Sequence, residues 1–258
     1  MQNTVQFYKY QGTGNDFVII DNRDLEFPKD KNIIGRLCDR RFGIGGDGLI
    51  LLENDDDADF KMVYYNADGN ESTMCGNGGR CLVAFAHFMD IFEEKTTFMA
   101  VDGLHEAEIN SGTVKLKMID VQEIRIDGEN AVLNTGSPHF VQFVDSVQEF
   151  PVYNKGKEIR NSPTYRDEGI NVNFAEKWSD HEIFVRTYER GVEDETFSCG
   201  TGVTASALVF MKDKGLNAVD VKVLGGALKV YADHNGGSFT NVWLEGPAVQ
   251  VFKGKIAV

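Results

Sequence analysis

The chain has 258 residues, 42% of them apolar and 26% charged, which is enough length and apolar content for one large domain or two of half that size. Its formal charge is −14 with no run of Lys and Arg, so a phosphate backbone or an anionic membrane is excluded as the partner. There is no charged-then-apolar leader pattern and no stretch of 18 apolar residues, and a soluble cytoplasmic protein is expected.

Taken in chain order, Phe7–Asp21 reads as the first strand and contains Gly12-Thr13-Gly14-Asn15-Asp16-Phe17. Gly43-Ile44-Gly45-Gly46-Asp47-Gly48 matches the Gly-x-Gly-x-x-Gly of dinucleotide sites. It follows Cys38-Asp39-Arg40-Arg41-Phe42 and not an apolar strand, so a tight turn near the functional cleft is expected instead. Leu49–Glu53 and Lys61–Tyr65 read as strands, with an acidic surface turn between them. Cys75 and then the apolar run Cys81–Met89 follow, and Thr113–Met118 is the last strand before a polar junction near Ile119–Glu129. Beyond it, strands are read at Phe140–Val144 and Glu182–Tyr188, then Cys199 and the apolar run Val203–Met211. Val219–Val223, Leu228–Ala232 and Val242–Leu244 complete the strands. Neither apolar run has a polar stripe at helical spacing, so each is expected to be a helix buried on all sides.

The two halves echo each other. Glu71-Ser72-Thr73-Met74-Cys75-Gly76-Asn77-Gly78 and Glu195-Thr196-Phe197-Ser198-Cys199-Gly200-Thr201-Gly202 share Glu-x-x-x-Cys-Gly-x-Gly at an offset of 124 residues. Thr13-Gly14-Asn15-Asp16-Phe17-Val18 is echoed by Thr135-Gly136-Ser137-Pro138-His139-Phe140-Val141, and Met62–Asn66 by Val185–Glu189, at nearly the same offset. Three matches in one order imply a duplicated half. The architecture expected is α+β: two pseudo-symmetric lobes, each a barrel-like, mostly antiparallel sheet wrapped around a central buried helix. The expected lobes are 1–120, joined by a C-terminal strand at 248–258, and 121–247.

A cysteine followed by glycines at a helix start has chemical consequences. The first amides of a helix favour negative charge and lower a thiol's pKa from about 8.5 toward neutrality. Glycine lets the same amides approach a carboxylate. If the halves face one another, two such thiols would flank one carbon beside a shared carboxylate. Inversion of a stereocentre needs that pair, a base on one face and an acid on the other. Zinc would need close pairs such as Cys-x-x-Cys, and the sequence has none, so no metal is expected. Cys38 and Cys81 read as small core residues, and His87, His105, His181 and His234 as ordinary core or surface residues. His139 stands apart because it echoes Asn15-Asp16.

These motifs resemble the diaminopimelate epimerase family over nearly the whole chain. The resemblance rests on Gly12–Phe17, on Arg41-Phe42-Gly43-Ile44-Gly45 with Asp47-Gly48, on Asn66-Ala67-Asp68-Gly69 and on Met74–Cys81. It continues through Gly136–His139, Asn171-Val172-Asn173-Phe174, Tyr188-Glu189-Arg190-Gly191 and Cys199–Gly202. It implies interconversion of L,L- and meso-diaminopimelate, on the route to lysine and cell-wall precursors, with no cofactor and by a homodimer. It also implies Cys75 and Cys199 as the acid–base pair, with His139 and Glu189 tuning them. Gly76, Asn77, Gly200 and Thr201 would hold the reacting carboxylate, with Asn15 beside it. Asn66, Asn171, Glu189 and Arg190 would hold the distal end, where a Glu and an Arg fork suit an ammonium and a carboxylate. Many members carry Gln in place of Gly48 and Asn in place of Ser137, so those two roles are not carried over; the placement of Glu195 is also open.

A proline or hydroxyproline racemase-like enzyme would typically have His after the first Cys-Gly, where this chain has Asn77. A thiol redox switch would not require the Asn, Glu and Arg cluster.

Overall fold

The computed structural model describes residues 4–258. The chain divides into two units: one runs to Leu116 and takes in Pro247–Val258, and the other is Lys117–Gly246.

The first unit contains β1 (Thr4–Gly12), β2 (Asn15–Asp21), α1 (Lys31–Cys38), β3 (Gly48–Glu53), β4 (Phe60–Asn66), α2 (Gly76–Phe88), β5 (Lys95–Ala100), β6 (Gly103–Asn110) and β7 (Thr113–Lys117). The single strand expected over Phe7–Asp21 is a hairpin. Thr13 and Gly14 both take positive φ (49° and 87°) and reverse the chain, so Gly12 faces Asn15. Antiparallel pairs join the C-terminal strand Val249–Ala257 to β1, β1 to β2, β3 to β4, β5 to β6 and β6 to β7. The pairs β2–β3 and β4–β5 are parallel, and α1 and α2 are the crossovers between them.

The second unit contains β8 (Arg125–Asp127), β9 (Asn130–Asn134), β10 (Pro138–Phe143), α3 (Val152–Arg160), β11 (Asn171–Lys177), β12 (Glu182–Glu189), β13 (Asp194–Thr196), α4 (Gly200–Lys214), β14 (Ala218–Val223), β15 (Gly226–Asn235) and β16 (Ser238–Pro247). Its ladder repeats the first. β8–β9 and β9–β10 are antiparallel, β10–β11 parallel, β11–β12 antiparallel and β12–β14 parallel; β14–β15 and β15–β16 are antiparallel. Thus α3 repeats α1 and α4 repeats α2, while the C-terminal strand takes in the first unit the place of β8 in the second. The duplication extends from motif to topology.

Burial explains the strand sequences. Phe17, Ile50 and Met62 face Gly78 of α2, while Val18, Leu49, Leu51 and Val63 pack with Ile34 and Leu37 of α1. β3 is therefore covered on both faces, and its Gly-Leu-Ile-Leu-Leu-Glu is buried throughout without alternation. Val152 of α3 joins Phe140, Val172, Phe174, Phe184 and Tyr188 in the matching cluster. Both central helices begin earlier than their apolar runs: the glycines after each cysteine form the first helical turn. α4 ends at Gly215, which takes φ 68° and donates its N–H to Met211 O at 2.7 Å.

Candidate active site

Cys75 and Cys199 hold the same position in their units. Each is the N-cap of the central helix with extended backbone, and neither side chain caps the helix. The first helical hydrogen bonds run from Gly79 N to Cys75 O (2.7 Å) and from Val203 N to Cys199 O (2.9 Å). The amides of Gly76, Asn77 and Gly78, and of Gly200, Thr201 and Gly202, lie ahead of those bonds and have no acceptor within the helix ladder. A Cβ built on Gly76 meets nothing within 4 Å, so this side of the turn is open. Each unit therefore carries a thiol beside an anion-favouring helix end.

In the first unit, Cys75 Sγ donates to Asn15 Oδ1 at 3.6 Å, and Asn77 Nδ2 donates to the same oxygen at 3.3 Å. The Asn15 amide is oriented by its Nδ2, which donates to Asp47 Oδ2 at 2.6 Å. Asp47 belongs to the glycine-rich segment, so that segment is a turn that holds Asn15. It follows α1 and leads into β3, which leaves no helix start for a pyrophosphate. Arg40 bridges Asp16 and Asp47, both at 2.7 Å, and Lys9 pairs with Asp16. Burial pushes Asp16 up, and the hydrogen bonds from Arg40 and Lys9 more than offset it, holding the carboxyl well below its usual range. Asn66 ends β4 opposite Gly48 and is exposed. Gly48 has no room for a side chain, because a Cβ there would lie 2.5 Å from the Tyr64 ring and 2.5 Å from Tyr65 O.

In the second unit, His139 is fully buried. Asn173 Nδ2 faces His139 Nδ1 at 3.0 Å and donates to Phe140 O at 2.9 Å, and Asn173 Oδ1 accepts from Thr187 Oγ1 at 2.9 Å. These partners make Nδ1 the acceptor and put the ring proton on Nε2, which donates to Thr201 Oγ1 at 2.8 Å. The Thr201 hydroxyl lies 3.5 Å from Cys199 Sγ and is left to direct its own proton there. Burial, reinforced by Arg190 and opposed by Asn173, pushes His139 down to about 3. The imidazole is neutral at working pH and acts as a fixed donor. Its depressed pKa also makes stability fall as pH drops from about 6.5 toward 3, since only the unfolded chain takes up the proton there.

Asn171, Ser137 and Arg190 form a second cluster. Ser137 Oγ accepts from Asn171 Nδ2 (2.8 Å) and Arg190 Nη2 (3.3 Å), and Asn171 Oδ1 accepts from Arg190 N (2.9 Å). Among the described residues no carboxylate pairs with the Arg190 guanidinium, whose other partner is Glu168 O at 3.1 Å. Glu189 Oε2 accepts from Thr196 Oγ1 at 3.0 Å. Glu195 is not part of this group: it forms a two-pronged pair with Arg186 at 2.6 and 2.7 Å, which ties β13 to β12.

Sequence reasoning passed over Asp47, Arg80, Asn173 and Thr187 as site supports. The alternation Asn171-Val172-Asn173 in a strand, two amides on one face, was the available signal. Cys38 and Cys81 are buried, and burial pushes their thiols up to about 11 and about 12. Cys38→Ala and Cys81→Ala are expected to keep kcat within about threefold while lowering the melting temperature by a few degrees. Steady-state assay and thermal unfolding check this, and loss of turnover in a folded variant would contradict it.

Solved structures share this architecture. A Bacillus anthracis protein described as a phenazine biosynthesis protein of the PhzF family superposes with a TM-score of 0.75 at 14% identity, covering 99% of this chain and 100% of that one. A hydroxyproline epimerase from Agrobacterium vitis superposes with a TM-score of 0.71 at 15% identity, covering 100% and 94%. Sequence is more specific than fold. The profile of the family described as Diaminopimelate epimerase matches residues 7–124 and 131–251. Diaminopimelate epimerase of Flavobacterium psychrophilum is 56% identical over 254 residues, covering 96% of this chain and 99% of that protein, and that of Chlorobaculum tepidum is 41% identical over 258 residues, covering 96% and 99%. The chain belongs to the diaminopimelate epimerase family.

Proposed function

We propose that this protein interconverts L,L- and meso-diaminopimelate by moving protons between the substrate's α-carbon and two thiols. The observation that carries the reading is the duplicated thiol at the start of a buried helix, with glycine amides alongside. Removal of an α-proton leaves charge on the neighbouring carboxylate, and helix-start amides stabilise charge of that kind. One thiolate takes the proton from one face, and the other thiol delivers a proton to the opposite face. The roles exchange in the reverse direction, so two groups serve both directions. The Thr201–His139–Asn173 chain steadies Cys199, and Asn15 and Asn77 steady Cys75.

The distal end of diaminopimelate carries a second carboxylate and ammonium. The Arg190 guanidinium suits the first, the Glu189 carboxylate the second, and Asn171 and Asn66 supply amide contacts. The protein acts as a homodimer in the cytoplasm in this reading; among the described residues no helix is long and apolar enough to cross a membrane.

Incubation of fully reduced enzyme with L,L-diaminopimelate in heavy water tests the reading. One solvent deuteron is expected at an α-carbon of the meso product, with no cofactor added. Proline under the same conditions should show no exchange. Inversion without solvent deuterium, or exchange with proline alone, would refute it.

A further inference from the structure

Arg80 is the largest fully buried side chain of the protein, at 0% exposure, and among the described residues it forms no ion pair. A guanidinium keeps its charge in a protein interior. Burying that charge without a carboxylate is costly, and the positive end of a helix adds to the cost. Arg80 lies on the second turn of α2, next to that end. Its Nη2 donates to Asn77 Oδ1 (2.9 Å) and Thr13 Oγ1 (3.3 Å), its Nη1 reaches Gly76 O (3.5 Å), and its Nε has no partner. These contacts lock the turn that follows Cys75 and aim the Asn77 amide at Asn15 Oδ1, the atom that also faces Cys75 Sγ.

We infer that Arg80 is a positioning residue for the reaction proposed above, holding the first turn of α2 in shape and supplying the positive charge against which Cys75 ionises. The neighbouring ionisable groups leave that part to it. Cys81 and Tyr10 are both pushed up by burial and stay neutral. The cations Lys9 and Arg40 are matched by the anions Asp16 and Asp47. The positions of β3, β4, β5 and β7 that face Gly78 and Gly79 are Ile50, Met62, Phe98 and Leu116. Asn15 Oδ1 is an acceptor and repels a thiolate, so a buried positive charge adds to what the helix-start amides supply. The equivalent residue of the second unit is Thr204, whose hydroxyl donates to Gly200 O at 3.0 Å. There the thiol lies 3.5 Å from the Thr201 hydroxyl, which His139 Nε2 in turn holds. Two equivalent thiols are thus poised by different devices.

The test reads thiol chemistry and not turnover, so it stands or falls apart from the epimerase reading. Iodoacetamide labelling of Cys75, located by peptide mass, is followed against pH in the Cys199→Ala protein with Arg80, Arg80→Lys, Arg80→Gln or Arg80→Met. An opposite charge close to an ionisable group moves its pKa by 1–3 units. The Gln and Met variants should therefore label Cys75 at least about tenfold more slowly at pH 7, with the midpoint shifted upward, while Lys stays within about threefold. In the Cys75→Ala protein, labelling of Cys199 should be the same with Arg80 and Arg80→Gln. An unchanged Cys75 midpoint, or an equal slowing at both cysteines, overturns the inference. If neither neutral variant folds, the melting temperatures of the unaltered protein and Cys75→Ala are compared between pH 6 and 9. A thiol with a depressed folded-state pKa adds stability as pH rises toward the unfolded value, so the difference should grow in favour of Cys75. A flat difference overturns the inference.

Discussion

Cys75→Ala and Cys199→Ala are each expected to lower kcat for inversion by about 10²–10⁴-fold in both directions, the usual contribution of a positioned acid or base. The more telling result is isotopic. A protein with one thiol can still remove an α-proton from its own face and return a solvent proton to that face. Each single variant should therefore exchange the α-hydrogen of one stereoisomer with heavy water and leave the other untouched, with the two variants choosing opposite isomers. Mass spectrometry combined with chiral separation reads both quantities. A single variant that still inverts at more than a few per cent of the normal rate would remove the two-thiol mechanism.

Gly202→Ala is expected to damage both stability and turnover. A Cβ on Gly202 would lie 2.2 Å from Asn173 Oδ1 and 3.3 Å from His139 Cε1. Asn173 has no route of retreat, because Phe140 O, Thr187 Oγ1 and His139 Nδ1 all hold it. Overpacking costs about 1–3 kcal/mol, and a buried group left without its partner costs about 1–3 kcal/mol more. A fall of roughly ten degrees or more in melting temperature follows for a chain of this size. Loss of the Asn173–His139–Thr201 chain should lower kcat by at least about tenfold, with Cys199 labelling changed and Cys75 labelling unchanged. Gly76→Ala is the control: its Cβ meets open space, so its melting temperature should match that of the unaltered protein. Normal stability in Gly202→Ala would show that the close approach of α4 to β11 is not needed.

Legible in the sequence are the features whose signal occurs twice. The repeated cysteine motif locates both helix starts, and the apolar runs behind it mark helices buried on all sides. What stays hidden depends on short range or on tertiary context. α1 and α3 span eight and nine residues, too short for a helical period to stand out, although Asp30 caps α1 by accepting from Asn32 N and Ile33 N. The reversal at Thr13-Gly14 falls inside Phe7–Asp21, which reads as one strand only if the turn residues Gly12-Thr13-Gly14-Asn15-Asp16 are passed over. Glu195 belongs to the same repeated motif as Cys199, yet its partner is Arg186, and no local spacing announces that pair. Arg80 is four residues from Gly76 on a helix whose other members are mainly small or apolar. A charged residue there reads as a surface position until its burial is known.

The strand Val249–Ala257 has a further consequence, for the order in which the protein is made. The second unit is one continuous stretch and can complete its hydrogen-bond ladder once Gly246 has emerged from the ribosome. The first unit is translated earlier but finishes later, because β1 waits for a partner made only after the second unit: Thr4 pairs with Ala257 and Val5 with Ile256. Contacts between stretches far apart in sequence are the slowest to find by loop closure. Until they form, the outer edge of β1 is an unpaired strand, exposed to other nascent chains and to chaperones. The half that carries Cys75 and Arg80 is therefore assembled only after the other half has been made, and a chain truncated before Val249 would display that edge permanently.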